Sequence, residues 1–122
     1  MTLRGIRGAI DVPENTAEAI DRRTQELLRA MVAANNLDPR RIVSIFLTAT
    51  VDLDAAYPAA AARAIGWTHI PLLDAQEIDV QGSMPRVIRV LMHVESEKTH
   101  DEIHHVYLGK AVSLRPDLMQ SR

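Results

Sequence analysis

Cysteine is absent from this 122-residue chain. That excludes a disulfide framework and thiolate chemistry, and it is compatible with a reducing compartment. Aromatic residues are scarce: one Trp, one Phe and two Tyr. A core of Ala, Val, Ile and Leu then has few large anchors, which favours a shared subunit interface in a domain this small. Lysine is scarce too, with two against twelve arginines, so the positive charge is almost all guanidinium. No apolar run approaches the ~20 residues of a membrane-spanning helix, and no charged-then-apolar leader opens the chain. A soluble, cytoplasmic protein is the expectation. The net charge of −2 and pI near 6.2 leave no basic field for nucleic acid. What remains is one domain, 1–122, with an ordinary apolar share of 47%.

Leu3 to Val12 reads as a first strand, with Gly5 and Gly8 permitting close backbone approach. Asn15-Thr16-Ala17-Glu18 resembles a capping box, and a helix follows to about Asn35. Ile20, Thr24, Leu27, Leu28 and Met31 fall on one of its faces. Asn36 and Asp38-Pro39 mark a turn. Ile42 to Ala49, apolar and β-branched, reads as a buried strand. A short helix, Tyr57 to Ile65, ends at Gly66. His69 to Leu73 reads as a short strand, and Asp74 to Pro85 as a polar loop. Arg86 to Glu95 is a further strand, and Ser96 to Glu102 a charged loop. Ile103 to Leu114 is either a helical turn plus strand or one bent strand, stopped by Pro116 before a frayed tail. With no regular βαβ alternation, the fold class is α+β: a mixed sheet packed against one long helix.

Familiar catalytic signatures are missing. The glycines around Arg7 have the wrong spacing for a dinucleotide fingerprint, and neither a Walker loop nor a Gly-x-Ser-x-Gly elbow is present. His100 and His104 are four apart, but Asp101-Glu102-Ile103 between them does not give His-Glu-x-x-His, and a solvated loop is the better reading. Three arginines sit in or beside apolar, strand-like runs: Arg7, Arg89 and Arg115. Singly, each reads as solvent-facing; converging, they make a pocket for a small polyanion. Glu77 and Asp79 alternate, either as solvated carboxylates or as an acid–base pair. Tyr107 is either a core tyrosine or a pocket donor. Arginines, a glutamate and a tyrosine, without a nucleophile, metal or cofactor motif, suit a reaction driven by anion binding and transition-state charge stabilisation.

The motifs Arg4-Gly5-Ile6-Arg7-Gly8-Ala9, Thr48-Ala49-Thr50-Val51-Asp52-Leu53, Tyr57-Pro58-Ala59, Gln76-Glu77-Ile78-Asp79-Val80, Ile88-Arg89-Val90, His105-Val106-Tyr107-Leu108 and Leu114-Arg115-Pro116-Asp117-Leu118 run in order along essentially the whole chain. Together they resemble the AroH-class monofunctional chorismate mutases. The resemblance implies a pseudo-α/β-barrel homotrimer with interfacial active sites. It implies a cofactor-free, metal-free Claisen rearrangement of chorismate to prephenate in aromatic amino-acid biosynthesis. The charge balance and the lack of a long apolar run add the expectation of no nucleic-acid and no membrane partner.

Residue by residue, Arg89 matches the cation at the breaking ether oxygen. Arg7, with Tyr107, matches the carboxylate anchor, and Glu77 the acceptor of the ring hydroxyl. Arg63 and Arg115 match peripheral cations. Tyr57 and Leu114 match pocket walls, and Leu73 and Asp74 complete the substrate-binding set. Ala60 stands where a lysine is often found, and Asp74 where a small thiol or hydroxyl residue is usual. A non-catalytic trimer sensing a dicarboxylate and a trimeric Rid-type deaminase are the alternatives.

Overall fold

Alternation of burial along β1 (Leu3–Asp11) sets the two faces of the sheet: Ile6, Gly8 and Ile10 turn to the core, and Leu3, Gly5 and Arg7 turn away. The structure, a computed structural model, describes residues 2–119. Helix α1 (Ala17–Asn35) buries Ile20, Thr24, Leu27, Leu28 and Met31, the face its spacing predicts. The Thr24 hydroxyl is satisfied inside the helix, donating to the Ile20 carbonyl at 2.7 Å. Gly8 lets this helix approach closely, because a Cβ there would lie 2.5 Å from Met31 Sδ. The cap falls one residue later than the capping box predicts. Thr16 Oγ1 accepts from the Ala19 N–H at 3.1 Å, while Asn15 is drawn across to the next loop, accepting from the N–H groups of Asp54 and Ala55.

Five strands form one mixed sheet in the order β3-β2-β4-β1-β5. Strand β2 (Ile42–Ala49) is parallel to β3 (Leu72–Gln76) and antiparallel to β4 (Val87–Glu95). Strand β1 is antiparallel to β4 and parallel to β5 (Val106–Leu108). Helix α1 packs on β1 and β5, and the short α2 (Ala59–Ala64) packs on β3 and on α1, so two helices share the cover. Ile45, Leu47, Ile88, Met92 and Val94 lie beneath them in one core; burying each such side chain fully is worth about 1.5–3 kcal/mol.

Several expectations need correction. Strand β2 is buried on one face only: Phe46 is 46% exposed and Val43 41%. The third strand starts at Leu72 rather than His69 and runs on through Asp74 to Gln76, since pairing with β2 overrides a loop-like composition. That makes β2–α2–β3 a βαβ unit. After Ile103 the order is strand then turn: β5, then a 3-10 segment over Gly109–Leu114. The run stops at Leu114, ahead of Pro116 as expected, but Pro116 also opens a short helix, α3 (Pro116–Met119), a position its fixed φ suits. The end of the tail expected to fray, residues 120–122, lies outside the described residues.

Candidate active site

The face of the sheet opposite α1 and α2 carries two cross-strand rows. One runs Tyr107–Ala9–Arg89–Thr48–Ala75 and the next Arg7–Leu91–Phe46–Leu73. Arg7 and Arg89 are therefore diagonal neighbours on one face, about 7–8 Å apart at Cα and within mutual reach of a single small ligand. A groove of about 390 Å³ lies between them, lined by Arg7, Phe46, Thr48, Arg89, Leu91 and Tyr107. That volume falls in the range of small-molecule sites, about 300–1,000 Å³.

Glu77 leaves the end of β3 and turns back over β2, its N–H donating to the Ala49 carbonyl at 2.9 Å. This brings its carboxylate to Arg89, whose Nε reaches both oxygens at 3.1 and 3.2 Å. Thr48 donates its hydroxyl to Glu77 Oε2 at 2.9 Å. The terminal nitrogens of Arg89 and the whole guanidinium of Arg7 have no hydrogen-bond or ion-pair partner among the described residues. Two cations with open donors at one groove, one steadied by a carboxylate, have the chemistry to grip a small anion.

The expected positions divide into two groups within the chain. Arg7, Glu77, Arg89 and Tyr107 come together at the groove. Leu114 packs on the cluster that contains Tyr107. Arg115 stands near Tyr107; its guanidinium pKa is raised first by hydrogen bonding to Asp117, with Tyr107 adding to the effect. Tyr57 and Asp74 instead line a separate concavity of about 470 Å³ by the start of α2. Arg63 lies exposed on α2, close enough for its charge to act on Asp74. Burial pushes the Asp74 carboxyl above its ordinary range; the Ala59 N–H, 3.1 Å from Oδ1, and Arg63 act against that. Leu73 is 57% exposed, in register beside Phe46.

Sequence reasoning missed Thr48, Phe46 and Leu91 as groove residues. Their signal was strand alternation around Arg89, readable only with the strand order known. A larger concavity of about 580 Å³, between the end of α1 and the Glu95–Lys98 segment, is lined by more carboxylates (Asp38, Glu95, Glu97, Glu102) than cations (Arg41, Lys98), the wrong balance for an anionic ligand. His100 sits in a 3-10 turn, and no group of three His, Asp or Glu side chains among the described residues is arranged to hold a metal.

Residues 3–118 match the model of the family "Chorismate mutase type I". The chain belongs to the type I chorismate mutases. The chorismate mutase AroH of Thermus thermophilus is 50% identical over 117 residues, covering 95% of this chain and 96% of that protein. The chorismate mutase AroH of Bacillus subtilis (strain 168) is 44% identical over 119 residues, covering 97% and 94%. A solved chorismate mutase from Clostridium thermocellum superposes with a TM-score of 0.89 at 49% identity, over 90% of this chain and 98% of that one. The chain is thus a chorismate mutase, an isomerase of aromatic amino-acid biosynthesis.

Proposed function

We propose that the chain works as a single-domain homotrimer in the cytoplasm, with each active site assembled from two neighbouring copies. The observation that carries this reading is the set of open donors, the terminal nitrogens of Arg89 and the guanidinium of Arg7, without a partner among the described residues, on a sheet face that the chain covers only at its Tyr107 end. Leu73, Phe46 and Leu91 line that face at 57%, 46% and 37% exposure, apolar enough to favour cover by another copy. The groove of one copy, with Arg7, Glu77, Arg89, Tyr107, Leu114 and Arg115, then meets the Tyr57, Arg63, Leu73 and Asp74 edge of its neighbour.

In this site the substrate folds so that its enolpyruvyl ether lies over the ring, and restraint of that conformer lowers the barrier. One C–O bond breaks as one C–C bond forms, and negative charge collects on the ether oxygen. Arg89 meets that oxygen with its terminal nitrogens, a contact stronger in the transition state than in the ground state. Arg7 and Tyr107 hold a carboxylate. Glu77, fixed by Thr48 and Arg89, accepts from the ring hydroxyl. Tyr57, Leu73 and Leu114 wall the ring, and Arg63 and Arg115 attract the dianion. Asp74 sets a carboxylate at the rim, and burial favours its neutral form.

Mixing tests the shared site. An Arg89→Ala variant and an Arg63→Ala variant, each impaired alone, are unfolded together and refolded as mixed oligomers. Shared sites restore chorismate turnover, because some interfaces inherit both intact halves. No restoration in mixed trimers, or a monomer by analytical ultracentrifugation, defeats the assembly reading.

A further inference from the structure

The parallel ladder between β1 and β5 begins at Gly8 and Val106. One step before it, the Arg7 N–H points toward β5, where a backbone carbonyl would ordinarily accept it. A side chain does so instead: His105 Nδ1 lies 2.9 Å from the Arg7 nitrogen. An N–H donates only to a lone pair, so Nδ1 carries no proton and a neutral ring holds its proton on Nε2.

The segment that carries the ring is itself anchored. Asn35, 1% exposed at the end of α1, clamps the backbone of the preceding residue from both sides. Its Nδ2 donates to the His104 carbonyl and its Oδ1 accepts from the His104 N–H, each at 2.8 Å. A continuous line of hydrogen bonds therefore runs from the buried end of α1 through the His104–His105 segment to the backbone of Arg7. On its other edge that backbone is already paired with β4, opposite Leu91, so the histidine supplies the hold on the β5 side. Gly5 and Gly8 bracket Arg7 in β1, and glycine adds conformational freedom to a strand. The Arg7 side chain has no hydrogen-bond partner of its own among the described residues, so its aim depends on where the backbone holds its Cα.

We propose that His105 is a positioning residue of the active site: its Nδ1 lone pair fixes the Arg7 backbone and so directs the Arg7 guanidinium into the groove. The inference rests on the reading of Arg7 as the carboxylate anchor. Because an anchor binds substrate and transition state alike, the effect of losing the support falls mainly on KM.

Three variants and one control decide it, by chorismate kinetics and thermal unfolding. His105→Leu keeps bulk but removes the acceptor, and KM rises about tenfold, the size of one lost hydrogen bond, with kcat little changed. His105→Asn puts Oδ1 as many bonds from Cα as Nδ1 and recovers most of that loss. His105→Ala replaces the Leu variant if the latter does not fold. A merely structural histidine would lower the unfolding temperature in all three without separating Asn from Leu in KM. Unchanged KM in His105→Leu, or Asn no better than Leu, overturns the inference alone when Arg7→Ala is impaired. Arg7→Ala with unchanged KM overturns the anchor reading, and the inference with it.

Discussion

Replacing Arg89 with alanine separates chemistry from stability. The Arg89 side chain is 41% exposed and its Glu77 partner 17% exposed. A half-exposed pair contributes about 0–1 kcal/mol to folding, so the thermal midpoint moves by a few degrees at most. The chemical step loses far more. One fixed donor at a developing oxyanion is worth about 10²–10³ in kcat, or about 2.7–4 kcal/mol. A second penalty follows from the structure. Without Arg89 the Glu77 carboxylate keeps the Thr48 hydroxyl but loses its cation, and faces a dianionic substrate. At ~6 Å and an effective dielectric near 20, two unit charges repel by about 3 kcal/mol before screening. The loss in Arg89→Ala therefore lies at or beyond the upper end of that range, and Arg89→Ala with Glu77→Gln recovers part of the second loss. Arg89→Lys also fails, since an ammonium lacks the fork that holds Glu77 through Nε and the substrate through the remaining nitrogens. The assay is loss of chorismate ultraviolet absorbance on folded protein. Turnover of Arg89→Ala within about threefold of the parent refutes the assignment of Arg89.

Asp74→Asn keeps an acceptor for the Ala59 N–H and removes a rim charge, so KM for chorismate falls; a rise in KM counts against Asp74 facing the substrate. Burial raises the Asp74 pKa, so the folded state holds this proton more tightly than the unfolded one. Stability owed to this group is thus lost as pH rises from the ordinary carboxylate value through the raised one. The melting-temperature difference, parent minus Asp74→Asn, falls across that window, and a difference that grows instead reverses the sign argued here. Gly109 has φ +60°, and a Cβ on it would collide with Asp11 Oδ1 and with Arg23 Nη2. Gly109→Ala therefore destabilises by about 1–3 kcal/mol in urea titrations. It also disturbs the Asp11 cap on the Lys110 N–H, 2.8 Å away, that starts the segment bearing Leu114; unchanged stability rejects the strain argument.

Helix α1 and strands β1, β2 and β4 were legible in the sequence within a residue or two, because each has its own hydrophobic period and its own end signals. Strand β3 was not. Leu72 and Leu73 look like the end of a strand, and Asp74-Ala75-Gln76 look like a loop until β2 pairs with them. The exposure of Phe46 was equally hidden, since a β-branched apolar run does not say how many of its faces are covered.

The residue motifs carried the family and the identity of the charged groups, because those are properties of side-chain type and order along the chain. Their geometry belonged to the tertiary structure. Glu77 meets Arg89 and Thr48 only because β3 and β4 flank β2, bringing together positions 12 and 29 residues apart. Arg7 meets His105 across 98 residues only because β5 joins the far edge of β1. Local periodicity specifies an element and its faces; which elements become neighbours is set by how those faces pack, and the groove is made of neighbours.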